Sequence, residues 1–65
     1  MNEDPRHSGF DFAPGMLVRL PGRPDWGLGQ VQSAVGRRVT VNFEHGGKQM
    51  IDVGNADLRV ASDER

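Results

Sequence analysis

The most constraining feature of the sequence is a six-residue segment in which polar and apolar side chains alternate without a break. In Arg38–Phe43 every second residue is apolar, namely Val39, Val41 and Phe43. A period of two places the two sets of side chains on opposite faces of a β-strand. Glycine-bearing segments flank this strand, at residues 35–37 and 44–47. The pattern therefore predicts a strand between two tight hairpin turns.

Further short segments carry strand-like patterns and are separated by residues that favour turns. Residues 16–20 place Met16, Val18 and Leu20 on one face. Prolines at positions 21 and 24 end this strand, because proline donates no backbone hydrogen bond, so residues 21–29 are predicted to form a loop. Residues 54–57 predict a single tight or 3₁₀ turn. The remaining predicted strands cover residues 29–34, 48–53, with Ile51 and Val53 inward, and 58–60.

Short strands joined by tight turns predict a sheet whose apolar face must be covered. Closing the sheet into a small barrel buries that face and removes exposed strand edges. We therefore predict an all-β domain over residues 12–60, a five-stranded SH3-like or Tudor-like barrel, with an OB-fold as second choice. Residues 1–11 are predicted to be a disordered tail and residues 61–65 a frayed one. The predicted core consists of Met16, Val18, Leu20, Val31, Val39, Val41, Phe43, Ile51, Leu58 and Val60.

The composition limits the chain to one small domain without cysteine. Its 65 residues contain no cysteine, which excludes disulfides and thiolate metal ligands. The polar residues 1–5 are unlike a signal peptide, and no apolar run could span a bilayer, so a cytoplasmic location is expected. The net charge is −1, yet residues 15–60 hold six basic and four acidic side chains. The middle of the chain is therefore mildly basic.

The residues that carry catalytic chemistry do not converge in any known pattern, so the chain is not expected to be an enzyme. Its histidines are His7, in the predicted tail, and His45, in a predicted turn. One imidazole beside Glu44 does not make a metal site, and no cofactor is expected. The glycines of residues 27–29 precede a predicted strand, whereas a phosphate loop opens a helix. They are expected to allow a sharp strand entry or a close approach of two strands.

Trp26 has two interpretations that the sequence leaves open. It either caps one end of the barrel, or it is a partly exposed anchor for a protein partner. A methyl-lysine cage is not favoured, since such a cage needs several aromatic residues and the chain has no tyrosine.

The basic residues of one hairpin also have two interpretations. Arg37, Arg38 and Lys48 are predicted to form a patch, joined by Arg19 or Arg23, that could meet carboxylates or phosphates. Alternatively they are solubilising side chains that blunt a strand edge. The candidate binding residues are thus Trp26, Asp25, Arg23, Arg37, Arg38 and Lys48.

The chain closely resembles a small bacterial family of domains of unknown function. The segments that carry the resemblance are PDWGLGQV at residues 24–31 and VTVNFEHGGK at residues 39–48, within a match from residue 12 to residue 60. This resemblance implies no established activity.

A more distant resemblance is to the Tudor-like domain that ends many bacterial superfamily-1 repair helicases. It rests on the order of PGMLV at 14–18, WGLGQV at 26–31, VNF at 41–43, GK at 47–48 and a closing Asp57-Leu58. This resemblance implies a five-stranded barrel and a partner in RNA polymerase or the repair machinery. The sequence departs from this pattern in its short turn at 35–37 and in having no helicase attached. Because of the second departure, only the adaptor role carries over.

Two functions follow from these observations. The leading hypothesis is a monomeric protein-interaction adaptor that contacts RNA polymerase or repair proteins through the Trp26 loop and a basic hairpin face. The alternative is a weak, non-specific nucleic-acid-binding module that uses Arg37, Arg38 and Lys48.

Overall fold

The molecule is built from short strands joined by tight turns, and its third strand alternates buried and exposed side chains as predicted. A computed structural model describes residues 12–61, so the predicted tails at 1–11 and 62–65 lie outside the described residues. The elements in chain order are β1 (Leu17–Arg19), a 3₁₀ helix (Pro24–Trp26), β2 (Gly29–Val35), β3 (Arg38–Phe43), β4 (Gly47–Asp52) and β5 (Arg59–Val60). All five predicted strands are present, and β3 has the predicted bounds.

The five strands form one antiparallel sheet in the order β4-β3-β2-β1-β5. This is the predicted all-β architecture, that of a small SH3-like barrel. Within residues 12–61 no strand pairing joins β4 to β5, so hydrogen bonds do not close the sheet. Among the described strands, β4 and β5 each keep one edge without a neighbouring strand, so the predicted closure that would remove exposed edges is incomplete.

The turn between β2 and β3 shows how local sequence fixes the register of this hairpin. Val35 pairs with Arg38, which leaves Gly36 and Arg37 as a two-residue loop. Gly36 has a φ of +59° and Arg37 has a negative φ. A positive φ at the first central residue alone is typical of the type II′ turn, which suits the twist of paired strands. The predicted hairpin turn is confirmed.

The apolar core lies on one face of the sheet and under the connecting loops. Eight of the predicted core residues are buried, and Met16 is half-buried against the same cluster. The prediction was wrong for Val60, which is 44% exposed. It lies on β5, which pairs with β1 alone and so leaves Val60 uncovered on its other side. Phe12, Val53 and Ala61 complete the buried set.

The bounds of the domain and of β2 differ slightly from the prediction. Ala61 was placed in the frayed tail, but it is buried and donates its backbone N–H to the Leu17 carbonyl at 2.7 Å. The fold therefore extends one residue beyond Val60. In β2 the register shifts between Val31 and Ser33, as in a β-bulge. Such a bulge bends the strand and increases its local twist.

Candidate functional site

One end of the sheet is organised by the loop that contains Trp26. This loop packs against the turn between β3 and β4, and we call the contact between residues 23–28 and 44–47 the Trp26 junction. His45 donates its backbone N–H to the Trp26 carbonyl at 2.9 Å, and Glu44 donates to the Leu28 carbonyl at 2.8 Å. The indole lies 5.2 Å from the Phe43 ring, measured between centroids, in a tilted arrangement. Backbone and aromatic contacts thus hold the loop onto the turn.

Two glycines make these close contacts possible. A Cβ at Gly46 would overlap the indole of Trp26, so the backbone of the turn lies directly against the ring. Gly29 is buried at the start of β2, and a Cβ there would lie only 2.7 Å from the Phe43 ring. The expectation that the glycines of residues 27–29 serve a strand entry or a close approach of strands is met at Gly29. The segments around Trp26 and Gly46 are therefore in direct contact with each other.

Trp26 has the contacts expected of a barrel cap, and part of its side chain remains exposed. It is half-buried and packs against the core cluster, as a barrel cap would. The guanidinium carbon of Arg23 lies 4.6 Å from the ring centroid, over the indole. A cation in this position is attracted by the electrons of the ring. Trp26 is therefore held on its own molecule and retains part of its surface for solvent.

Arg23 also forms a two-pronged contact with Asp25. Its Nε donates to Oδ1 at 3.2 Å and its Nη2 donates to Oδ2 at 3.0 Å. The hydrogen bond from Arg23 lowers the pKa of the Asp25 carboxyl below its ordinary value, and the same contact raises the pKa of Arg23. Both side chains are exposed, so this pair fixes the orientation of Arg23 more than it stabilises the fold.

A shallow groove of about 460 Å³ lies beside the Trp26 junction, on the surface side of the sheet. Its lining combines apolar and polar residues, and we call it the outer groove. Leu17 and Leu28 are half-buried, whereas Gln30, Asn42 and Glu44 are exposed. The backbone N–H of Leu28 donates to the Glu44 carboxylate at 3.4 Å. The lining residues are Leu17, Leu28, Gly29, Gln30, Asn42, Phe43, Glu44 and Gly47.

The strand register aligns several groove residues in one row across the sheet. Gln30 pairs with Leu17 on one side and with Asn42 on the other, and Asn42 pairs with Lys48. Directly paired residues of antiparallel strands point to the same face. Within residues 12–61 the side-chain amides of Gln30 and Asn42 have no hydrogen-bond partner. The row therefore offers unpaired donors and acceptors beside two leucines.

The structure separates the basic residues that were predicted to form one patch. Arg38 and Lys48 lie at opposite ends of the β3–β4 hairpin, because Arg38 pairs with Asp52 and Lys48 with Asn42. Asn42 lies four positions along the strand from Arg38, a distance of roughly 13 Å. Arg37 lies at the Arg38 end, where its Nε is 3.7 Å from the Asp52 Oδ1. Only Lys48 lies near the outer groove.

The groove residues were not singled out from the sequence. Gln30 was predicted to point outward, and Asn42 occupies an outward position of the strictly alternating strand. This alternation was the sequence feature from which the outward-facing row could have been predicted. Leu17 and Leu28 gave no signal, because the first falls between the inward positions of β1 and the second lies in a loop. The position of Leu17 becomes clear only from its pairing with Gln30, and that of Leu28 from its hydrogen bonds with Glu44.

The described residues hold none of the groups that would indicate a metal centre or a membrane span. In residues 12–61, no cluster of three histidine, cysteine or acidic side chains could hold a metal ion. That part of the chain also contains no helix with the length and hydropathy needed to cross a bilayer. His45 is exposed in the turn of the Trp26 junction, as predicted.

Comparisons with known proteins identify the family of the chain. No curated protein and no solved structure matches this sequence. Residues 12–61, the same part that the structure describes, match the family described as "Protein of unknown function (DUF3553)". The match contains both segments that meet at the Trp26 junction, and the chain belongs to the DUF3553 family.

Proposed function

We propose that this domain is a protein-interaction adaptor that binds its partner at the outer groove. The observation that carries the proposal is the row of unpaired amides beside half-buried leucines. Apolar surface contributes affinity, while a few fixed polar groups orient the partner. Gln30 and Asn42 supply such polar groups, and Leu17 and Leu28 supply the apolar surface.

The Trp26 junction gives this groove a rigid wall. Trp26 is packed on Phe43 and on the turn at Gly46, so the loop carrying Leu28 is already ordered. A surface that is ordered before binding loses less conformational entropy in the complex. In this proposal Trp26, Asp25 and Arg23 form the rim and Lys48 extends the row, whereas Arg37 and Arg38 lie at the far end.

The proposed partner is bacterial RNA polymerase or a protein of the repair machinery. Support for this comes from the distant sequence resemblance to Tudor-like domains, and the groove itself selects no particular protein. A non-catalytic role is part of the same proposal. It is supported by the finding that none of the charged side chains of residues 12–61 is buried.

Site-specific photo-crosslinking in bacterial cells tests this proposal. A benzoylphenylalanine placed at Asn42, in the groove, is expected to yield protein adducts, with an RNA polymerase subunit among them. The matched control carries the same group at Gln32, an exposed residue that does not line the groove. Equal adducts from both positions would contradict the groove. Protein adducts at position 42 that contain no RNA polymerase subunit would support the adaptor function and contradict RNA polymerase as the partner.

One observation favours the alternative, a weak nucleic-acid-binding module. Among residues 12–61, Arg38 and Lys48 form no ion pair, so both cations are available to phosphates. Binding to a phosphate backbone weakens steeply as salt concentration rises. Fluorescence anisotropy with labelled single- and double-stranded DNA should therefore detect a loss of affinity in Arg38→Glu and at high salt. An affinity that is unchanged by both would eliminate this alternative.

A further inference from the structure

The free edge of β4 carries a second surface that the outer groove does not explain. The backbone of Arg37 accepts a hydrogen bond from the Val53 N–H at 2.9 Å, in the same register as the β3–β4 pairs. In an antiparallel pair, hydrogen-bonded and non-hydrogen-bonded positions alternate. Ile51 and Gln49 therefore bond to β3, whereas Lys48, Met50 and Asp52 direct their backbone groups away from it.

Hydrogen bonds of the following turn confirm this direction and limit the free edge. The Asp52 carbonyl accepts the backbone N–H groups of Asn55 and Ala56, at 2.9 and 2.8 Å. These residues thus occupy the edge beside Asp52. In residues 12–61, no backbone group is bonded to the outward N–H or C=O of Lys48 or Met50. The available edge is two outward-facing residues long, with two donors and two acceptors.

We infer that this edge binds a short extended segment of another protein by adding it as a strand beside β4. This inference rests on the proposed adaptor function and assigns a second contact to it. An antiparallel segment would form four backbone hydrogen bonds across three of its residues, opposite Met50 and Lys48. The turn at Asp52 permits only a short segment, which disfavours a second copy of the β4 hairpin as the occupant.

The side chains of the edge select the chemistry of that segment. Met50 is 65% exposed and lies beside Thr40, while Lys48 lies beside Asn42 and, within residues 12–61, has no ion pair. Apolar and opposite-charge pairs stabilise directly opposed positions of neighbouring strands. The segment therefore carries an apolar residue opposite Met50 and, two residues later, a carboxylate opposite Lys48.

The test uses the full chain, labelled with ¹⁵N, and a blocked synthetic peptide of sequence TTITETT. We expect amide shifts at Lys48 and Met50. Met50→Pro should weaken binding by about tenfold or more, because it removes the outward N–H without removing a hydrogen bond to β3. Met50→Thr, which retains the N–H, is the matched control and should still bind. The spectrum of β1–β3 reports whether each variant remains folded.

Charge reversal gives a second, independent measurement. Lys48→Glu should weaken binding of TTITETT and strengthen binding of TTITKTT. Equal affinity of Met50→Pro and Met50→Thr, or shifts confined to Leu28 and Asn42, would overturn the edge site and leave the groove proposal intact. Concentration-dependent shifts at Lys48 and Met50 without peptide would identify a second copy as the occupant. If Met50→Pro without peptide shifts the amide signals of residues 1–11 or 62–65 relative to wild type, the occupant is a terminus of the same chain. Binding of a second copy or of a terminus would overturn the inference.

Discussion

The two ends of the β3 strand are held in different ways. At and beside the Trp26 junction, the Gly46 backbone lies against the indole, and the Gly29 backbone lies against the Phe43 ring. At the other end, the turn of Gly36 and Arg37 has nothing within 4 Å of where a Cβ on Gly36 would lie, and one long ion pair connects Arg37 to Asp52. The first end depends on particular side-chain shapes. We expect the second to depend mainly on turn geometry, and its side-chain changes to have smaller effects.

The strongest way to break this comparison is to fill the space that Gly29 leaves. Gly29→Val would force Val41 and Phe43 to move, and overpacking of this kind costs about 3 kcal/mol of the free energy of unfolding. The total free energy of unfolding of a small domain is only a few kcal/mol, so most of the Gly29→Val protein should be unfolded. Urea denaturation followed by circular dichroism measures this. A wild-type midpoint would show that the core at this end is not closely packed.

A double-mutant cycle tests whether Gly46 and Trp26 are one structural unit. Trp26→Ala should lower the free energy of unfolding by about 2 kcal/mol, less than for a fully buried tryptophan. Gly46→Ala alone should cost about 1–2 kcal/mol, because its Cβ overlaps the indole. In the Trp26→Ala background the Gly46→Ala cost should largely disappear. Additive costs would mean that Gly46 is required by the turn and not by the indole.

A substitution in the turn of Gly36 and Arg37, at the opposite end of β3, is expected to have a small effect on stability. Arg37→Ala should change the free energy of unfolding by no more than about 0.5 kcal/mol, since its ion pair with Asp52 is long and exposed. Exposed ion pairs are also screened by salt, so the difference from wild type should shrink further at high ionic strength. Thermal denaturation at low and high salt measures both. A loss as large as that of Trp26→Ala would remove the distinction between the two ends.

The smallest expected effect concerns the protonation of Asp25 at the rim of the Trp26 junction. Its folded pKa is lowered by the hydrogen bond from Arg23, so the contact stabilises the fold at pH values above the ordinary pKa. That stabilisation is lost as the pH falls through the lowered pKa. Carboxyl-carbon NMR titration should therefore give Asp25 a pKa below its usual range. In Arg23→Gln the pKa should return toward that range; an unchanged pKa would assign the shift to another cause.

The sequence predicted the elements that depend on local patterns. The alternation of Arg38–Phe43 predicted β3. The glycines in the segments before and after this strand, Gly36 and Gly47, predicted the two hairpin turns. These features could be predicted because side-chain period and backbone dihedral limits act over a few residues. The family resemblance over residues 12–60 could likewise be recognised, although the contact of Trp26 with Gly46 could not.

Contacts between distant residues were decided by the tertiary structure. Phe12 is buried although it precedes the first strand, and Val60 is exposed because it lies on the edge strand β5. The bulge in β2 is defined by its pairing with β3. The outer groove and the free edge of β4 also depend on the order of strands in the sheet. The groove needs residues from several strands, and the edge needs a strand at the end of the sheet. The sequence by itself determined the strands and turns of this domain. Only the folded sheet decided which of their surfaces remain open to a partner.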